Sequence, residues 1–502
     1  MTTANQTALH APCLEYYLRF SALEEQRLDV ELRISKLASD QVELMMARWS
    51  PGFYKVEDYA SRVVSFRASN AAGEELAIER PKDNRWRIAT AGSEELRFHY
   101  SLLCKETSVT TNWVAPEYAI LNGPATFIGL IGAEKQVHKV IIELPEQWAG
   151  VWSGLSQERE ADRRQAVLLA SDFDTLLDSP LLLGNPQVGS FEVAGKQHTI
   201  AAVGELGDWD MERACKDIAP FVAENARFWN GLPYSNYSFL LVFRKGGGGL
   251  EHANSTLVTA NPERMVNEEG YSAILTLICH EYFHVFNVKR LRPIELGPFD
   301  YEDWPRPTSL WISEGLTCYY TDLLQRRANM RSQDWLLQSL TRVVSKLQNA
   351  PGRLLQSLEE SSANVWNNSL SGINPSDDTV SYYDKGYVVG WLLDARIRRA
   401  NNDQRSLDDV MRLAYQRFGG ERGFEHREFW ALCEEVSGLE LQEWLSHAIC
   451  SATELDYQEA LEWFGLQIQQ IEQEKPVWKI GLAANRTEAQ AAHFAAWQHS
   501  EA

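Results

Sequence analysis

No run of eighteen or more apolar residues occurs in the 502-residue sequence, so there is no candidate transmembrane helix. Met1 to Phe20 has neither a basic start nor an apolar stretch; no signal peptide is expected. Paired cysteines are lacking too. The seven (Cys13, Cys104, Cys215, Cys279, Cys318, Cys433, Cys450) are scattered, odd in number and never spaced C-x-x-C, as expected of reduced thiols in the cytoplasm. Basic charge is short. Lys and Arg number 48 against 69 acidic residues, a net charge of -21, which argues against nucleic acid or an anionic membrane as partner. Neither an internal repeat nor a low-complexity tract is found. What remains is a soluble chain rich in core-forming side chains, with 17 Trp and 19 Phe, long enough for two to four domains.

Its first part reads as β. Val30, Leu32 and Ile34 alternate with Glu31 and Arg33, Phe98, Tyr100 and Leu102 repeat the pattern, and Ser50-Pro51-Gly52 marks a turn. Residues 1–195 are expected to form a β-rich domain. Beyond them, Trp209 to Trp229 has helical spacing and Tyr237 to Phe243 is a short apolar strand running into Gly246-Gly247-Gly248-Gly249. Helices are expected from roughly Tyr271 to Lys289 and from about Pro307 to Ala328. Residues 196–330 are taken as a catalytic domain, 331–454 as helical, and 455–502 as a tail in which Val477 to Ile480 is a candidate strand.

The sharpest motif is His280-Glu281-Tyr282-Phe283-His284. Histidines at i and i+4 share one helix face, so both imidazoles can reach one zinc ion while the Glu between them reaches a water on that ion. The competing reading, a chance match, applies to roughly 1% of chains with so few histidines. Catalytic zinc needs a third ligand and an open position. Glu314 is the candidate, because a carboxylate on the apolar stretch Leu310 to Leu316 needs a partner. Cys279 and Cys318 read as small buried hydrophobes, and Arg290 and Arg292 as structural more readily than as substrate-binding.

Gly247-Gly248-Gly249-Leu250-Glu251-His252, the histidine motif with Asn287 to Arg290, Trp311 to Gly315, and Tyr383-Asp384-Lys385-Gly386 occur in this order, after Trp49 to Tyr54. Over roughly residues 10 to 460 the set resembles the glycyl aminopeptidase family of gluzincin zinc peptidases. More distantly it is similar to the large zinc aminopeptidases and leukotriene A4 hydrolase. The resemblance implies an α+β multidomain chain, with an N-terminal β-rich domain, a thermolysin-like catalytic domain and a C-terminal helical domain. It implies that Glu251 holds the free ammonium of a peptide substrate and that Tyr383, or its neighbour Tyr382, donates to the oxyanion. Small first residues, Gly or Ala, are implied as well. Gly248 and Gly249, following a strand, leave backbone free to pair with a substrate. The role of His252 stays open. The family usually carries a C-terminal PDZ domain, and residues 455–502 are too few for one unless they are a remnant.

The expected mechanism has zinc held by His280, His284 and Glu314, with Glu281 as general base. The alternatives are an endopeptidase or epoxide hydrolase on the same scaffold, or a peptide-binding protein without activity. Oligomeric state is not readable.

Overall fold

The computed structural model describes residues 12–158, 164–367 and 372–499; residues 1–11, part of the stretch read for a signal peptide, lie outside them. Alternation decides the first part. Val30, Leu32, Ile34, Phe98, Tyr100 and Leu102 are all buried, on Arg27–Ser35 and Glu95–Leu103, which pair antiparallel in a seven-stranded sheet. Two four-stranded sheets complete this β-rich region. Its core is separate from the one that follows, and a smaller apolar seam, including Ile120, Leu182, Leu240 and Leu257, joins the two.

A mixed region follows. Its five-stranded sheet runs in the order Gln187–Val193, Lys196–Gly204, Asn236–Phe243, Ser255–Ala260, Gly247–Glu251. Asn236–Phe243 is parallel to both neighbours and buried from Tyr237 to Phe243, which explains its unbroken apolar run. Gln187–Val193, on the N-terminal side of residue 195, already belongs to this sheet. The glycine strand Gly247–Glu251 is antiparallel to Ser255–Ala260 and stands at the sheet's edge.

Two helices differ from the expected bounds. The first ends at Phe283, not Lys289. His284 is its C-cap, and the chain then winds irregularly, with Lys289 N–H donating to His284 O and Leu291 N–H to Phe286 O. The second begins with a wide π turn, Trp311–Gly315, before the regular helix Leu316–Arg327. Both departures fall where side chains take over backbone partners, as described below.

A C-terminal helical segment closes the molecule. Tyr382–Asn401, the longest of its helices, is buried along most of its length. After Cys450 come the helix Gln458–Phe464, a hairpin of Leu466–Ile471 with Val477–Leu482, and the helix Glu488–Gln498. The hairpin docks on the Gln333–Gln348 helix, where Ile480 N–H donates to Thr341 Oγ1 at 3.0 Å. Trp497 Nε1 donates to Tyr319 OH at 2.7 Å, so this segment shares the core of the mixed region. Among the described residues no helix is long and apolar enough to cross a membrane.

Candidate active site

The Glu268–Phe283 helix starts on Asn267, whose side chain accepts from Gly270 N–H, and carries His280 and Glu281 in its last turn. His284 caps it and is held by its own Nδ1, which lies 2.7 Å from the Asn287 carbonyl. A donor bond there leaves Nε2 bare to accept a cation. The Asn287 side chain reaches across to the π turn, donating to Ile312 O at 2.8 Å and to Thr317 Oγ1 at 3.1 Å. Thr317 Oγ1 in turn donates to Ser313 O at 2.6 Å. These bonds hold Glu314 over the two histidines.

The three donor atoms converge. His280 Nε2 and His284 Nε2 are 3.1 Å apart, and Glu314 Oε2 stands 3.4 and 3.3 Å from them. Ligands 2.0–2.1 Å from a tetrahedral ion lie about 3.3–3.4 Å from one another, so the set fits zinc without rearrangement. Without an ion, burial opposes the charged form of both His284 and Glu314, and their mutual attraction outweighs it. The His284 pKa rises to about 10 and that of Glu314 falls to about 2. Cys318 Sγ lies 3.7 Å from His280 Nδ1, on the ring nitrogen facing away from the three donors.

Glu281 and Glu251 share the same space. Ligating atoms of Glu251, Glu281 and His284 all lie within 4.8 Å of one another. Burial raises both carboxyl pKa values, and for Glu281 the nearby Glu251 and Glu314 raise it further. Glu281 packs on Gly249, where a Cβ would overlap its carboxylate. Glu251 is covered from the β-rich region by Gly52, which has φ +89° and likewise no room for a Cβ. Glu251 Oε1 is buried with no hydrogen-bond partner among the described residues. Gly248 and Gly249 line the cleft beside it.

Tyr383 lines the same cleft, its ring 6.3 Å from that of His280, whereas Tyr382 packs on Gly372. Their helix comes close because two glycines meet. A Cβ on Gly315 would lie 2.6 Å from Gly386 Cα. The cleft has a volume of about 870 Å³.

His252 faces away, with Nδ1 3.0 Å from Asp178. Arg290 donates to Ala253 O and Val285 O, and Arg292 to Gly420 O and Glu421 O; neither lines the cleft. The sequence placed Asn287 and Gly52 within motifs but assigned neither a role in building the site; their places in Asn287 to Arg290 and Trp49 to Tyr54 were the available signal.

The family model for the M61 peptidase N-terminal domain matches residues 15–185, and that for the M61 glycyl aminopeptidase matches residues 273–389. Together they span more than half of the chain. Among solved structures, the crystal structure of an aminopeptidase N family protein from Idiomarina loihiensis is 25% identical, with a TM-score of 0.86 over 91% of this chain and 79% of that one. No curated protein matches.

Proposed function

This chain belongs to the M61 glycyl aminopeptidase family, and from that premise we propose that it is a zinc aminopeptidase removing a small first residue, Gly or Ala, from peptides. His280, His284 and Glu314 would hold the ion. A bound zinc would supply a Lewis acid that polarises the carbonyl and lowers the pKa of a water.

The observation that carries the exopeptidase reading is the orphaned Glu251 Oε1, buried at the end of an edge strand on a carboxylate that lies within 4.8 Å of that of Glu281. A free ammonium satisfies it and returns the carboxyl to its charged form. The substrate backbone runs along Gly248 and Gly249 by strand addition. Glu281 takes the proton of the attacking water and passes it to the leaving amine. The Tyr383 hydroxyl donates to the developing oxyanion. Closure over Glu251 by Gly52 supports a small first residue. In this reading the β-rich region to about residue 195 covers the ammonium site, residues 196–330 carry the chemistry, 331–454 supply Tyr383, and 455–502 buttress the helices.

The test compares an Ala- or Gly-initiated peptide with its N-acetylated twin by mass spectrometry, at one zinc equivalent. Stepwise loss of the first residue from the free peptide alone is expected. Equal internal cleavage of both would make this an endopeptidase and remove Glu251 from its role.

A further inference from the structure

The cleft does not end at Tyr383. Behind His280 it continues along the same helix past Leu277 and Thr276 to Ala273, and along the Leu316–Arg327 helix past Cys318 to Asp322. At Thr276, Ala273 and Arg342 it meets a second cavity of about 1020 Å³. Four to seven helical residues from His280 to this junction amount to about 6–10 Å, and eight from Glu314 to Asp322 to about 12 Å. An extended peptide covers that in two or three residues.

Charge at the junction is mixed: Arg213, Asp217, Glu268, Glu269, Arg331 and Arg342 line the second cavity, and Asp322, Lys346 and Asp384 the near end of the cleft. On a chain of net charge -21, the exposed Arg342 makes one hydrogen bond, Nη2 to Ser339 Oγ at 2.8 Å, and no ion pair among the described residues. Its acidic neighbours Asp322 and Asp384 feel its charge, which acts against the effect of burial on both carboxyl pKa values, but each has a nearer partner. Asp322 is buried and accepts the Ser339 hydroxyl, and Asp384 pairs with Lys346 at 2.8 Å. Arg331, which also lines the second cavity, makes no ion pair among the described residues, donating instead to Gln325 Oε1, Ser272 O and Thr276 Oγ1. A guanidinium with unused parallel N–H groups at the end of a peptide-sized cleft is matched to a carboxylate.

We propose that the preferred substrates are short peptides of about three or four residues whose free C-terminal carboxylate is bound by Arg342. This rests on the peptidase reading. Glu251 then measures one end of the substrate and Arg342 the other, so peptides too long to end at Arg342 lose the second contact.

The experiment measures kcat/KM for an Ala-initiated tripeptide as the free acid and as the C-terminal amide, with the zinc-loaded full chain and with Arg342→Gln and Arg342→Lys. The wild type is expected to prefer the acid by about 10–100-fold, the range of a charge-assisted hydrogen bond. That ratio collapses towards one in Arg342→Gln and is partly restored in Arg342→Lys. Equal cleavage of acid and amide by the wild type would overturn the proposal and leave the peptidase reading standing. So would an acid preference that persists in Arg342→Gln. No turnover of either peptide would overturn both.

Discussion

Two buried carboxylates facing one space need different work to do. Burial, with Glu251 and Glu314 adding to it and His284 opposing it, pushes the Glu281 pKa well up. A carboxylate whose charged form is disfavoured by its surroundings is a stronger base towards a nearby water. Glu281→Gln keeps the shape, removes the exchangeable proton and leaves the three donor atoms in place. Its kcat is expected to fall by about 10²–10⁴-fold at unchanged zinc content, read by metal analysis of the same sample. Retained activity with full zinc would remove Glu281 from the proton path.

Elements bring these residues together through contacts smaller than a side chain. Gly315 at the end of the π turn and Gly386 in the Tyr382–Asn401 helix touch backbone to backbone, and a Cβ on either would lie 2.6–3.0 Å from the other's Cα. Neither backbone can yield without moving Glu314 or Tyr383. Gly315→Ala is expected to cost about 1–3 kcal/mol in urea unfolding and to lower activity further than the stability loss explains. Wild-type unfolding would show the crossing to be slack. This is also the scale at which the sequence was readable in part. Spacing alone brings His280 and His284 to one face, and the alternation of Val30, Leu32 and Ile34 marks the β-rich region. Glu314 was reachable because an isolated acid among apolar neighbours needs a partner. The end of the first helix at Phe283 was not legible. Nothing local says that the Asn287 carbonyl will be taken by His284 Nδ1, or its amide by Ile312 O, twenty-five residues on. The pressing of Gly52 on Glu251 joins positions two hundred residues apart, and only the folded chain brings them together.

For the whole molecule, that contact means the β-rich region helps to build the site. It reaches Glu251 twice. Gly52 covers the carboxylate, and Asp178, at the end of the Phe173–Leu177 helix, grips the segment just after it. Asp178 Oδ2 accepts Ala253 N–H at 2.8 Å, while Oδ1 lies 2.7 Å from Lys289 Nζ and 3.0 Å from His252 Nδ1. Burial would raise the Asp178 pKa, but Lys289 and His252 outweigh it and hold it at about 2. Because this folded value lies below the ordinary 3.8, the clamp's stabilisation is complete above about pH 4 and is lost as pH falls through about 2. Asp178→Asn is therefore expected to destabilise the chain by about 1.5–3 kcal/mol at neutral pH. Measured by urea unfolding across a pH series, its difference from wild type should shrink between pH 4 and pH 2. A difference that stays constant to pH 2 would mean that Asp178 acts through packing alone. At neutral pH the same variant should raise KM for free-amine peptides more than it lowers kcat, because what it loosens is the seat of Glu251 rather than the Glu281 proton path.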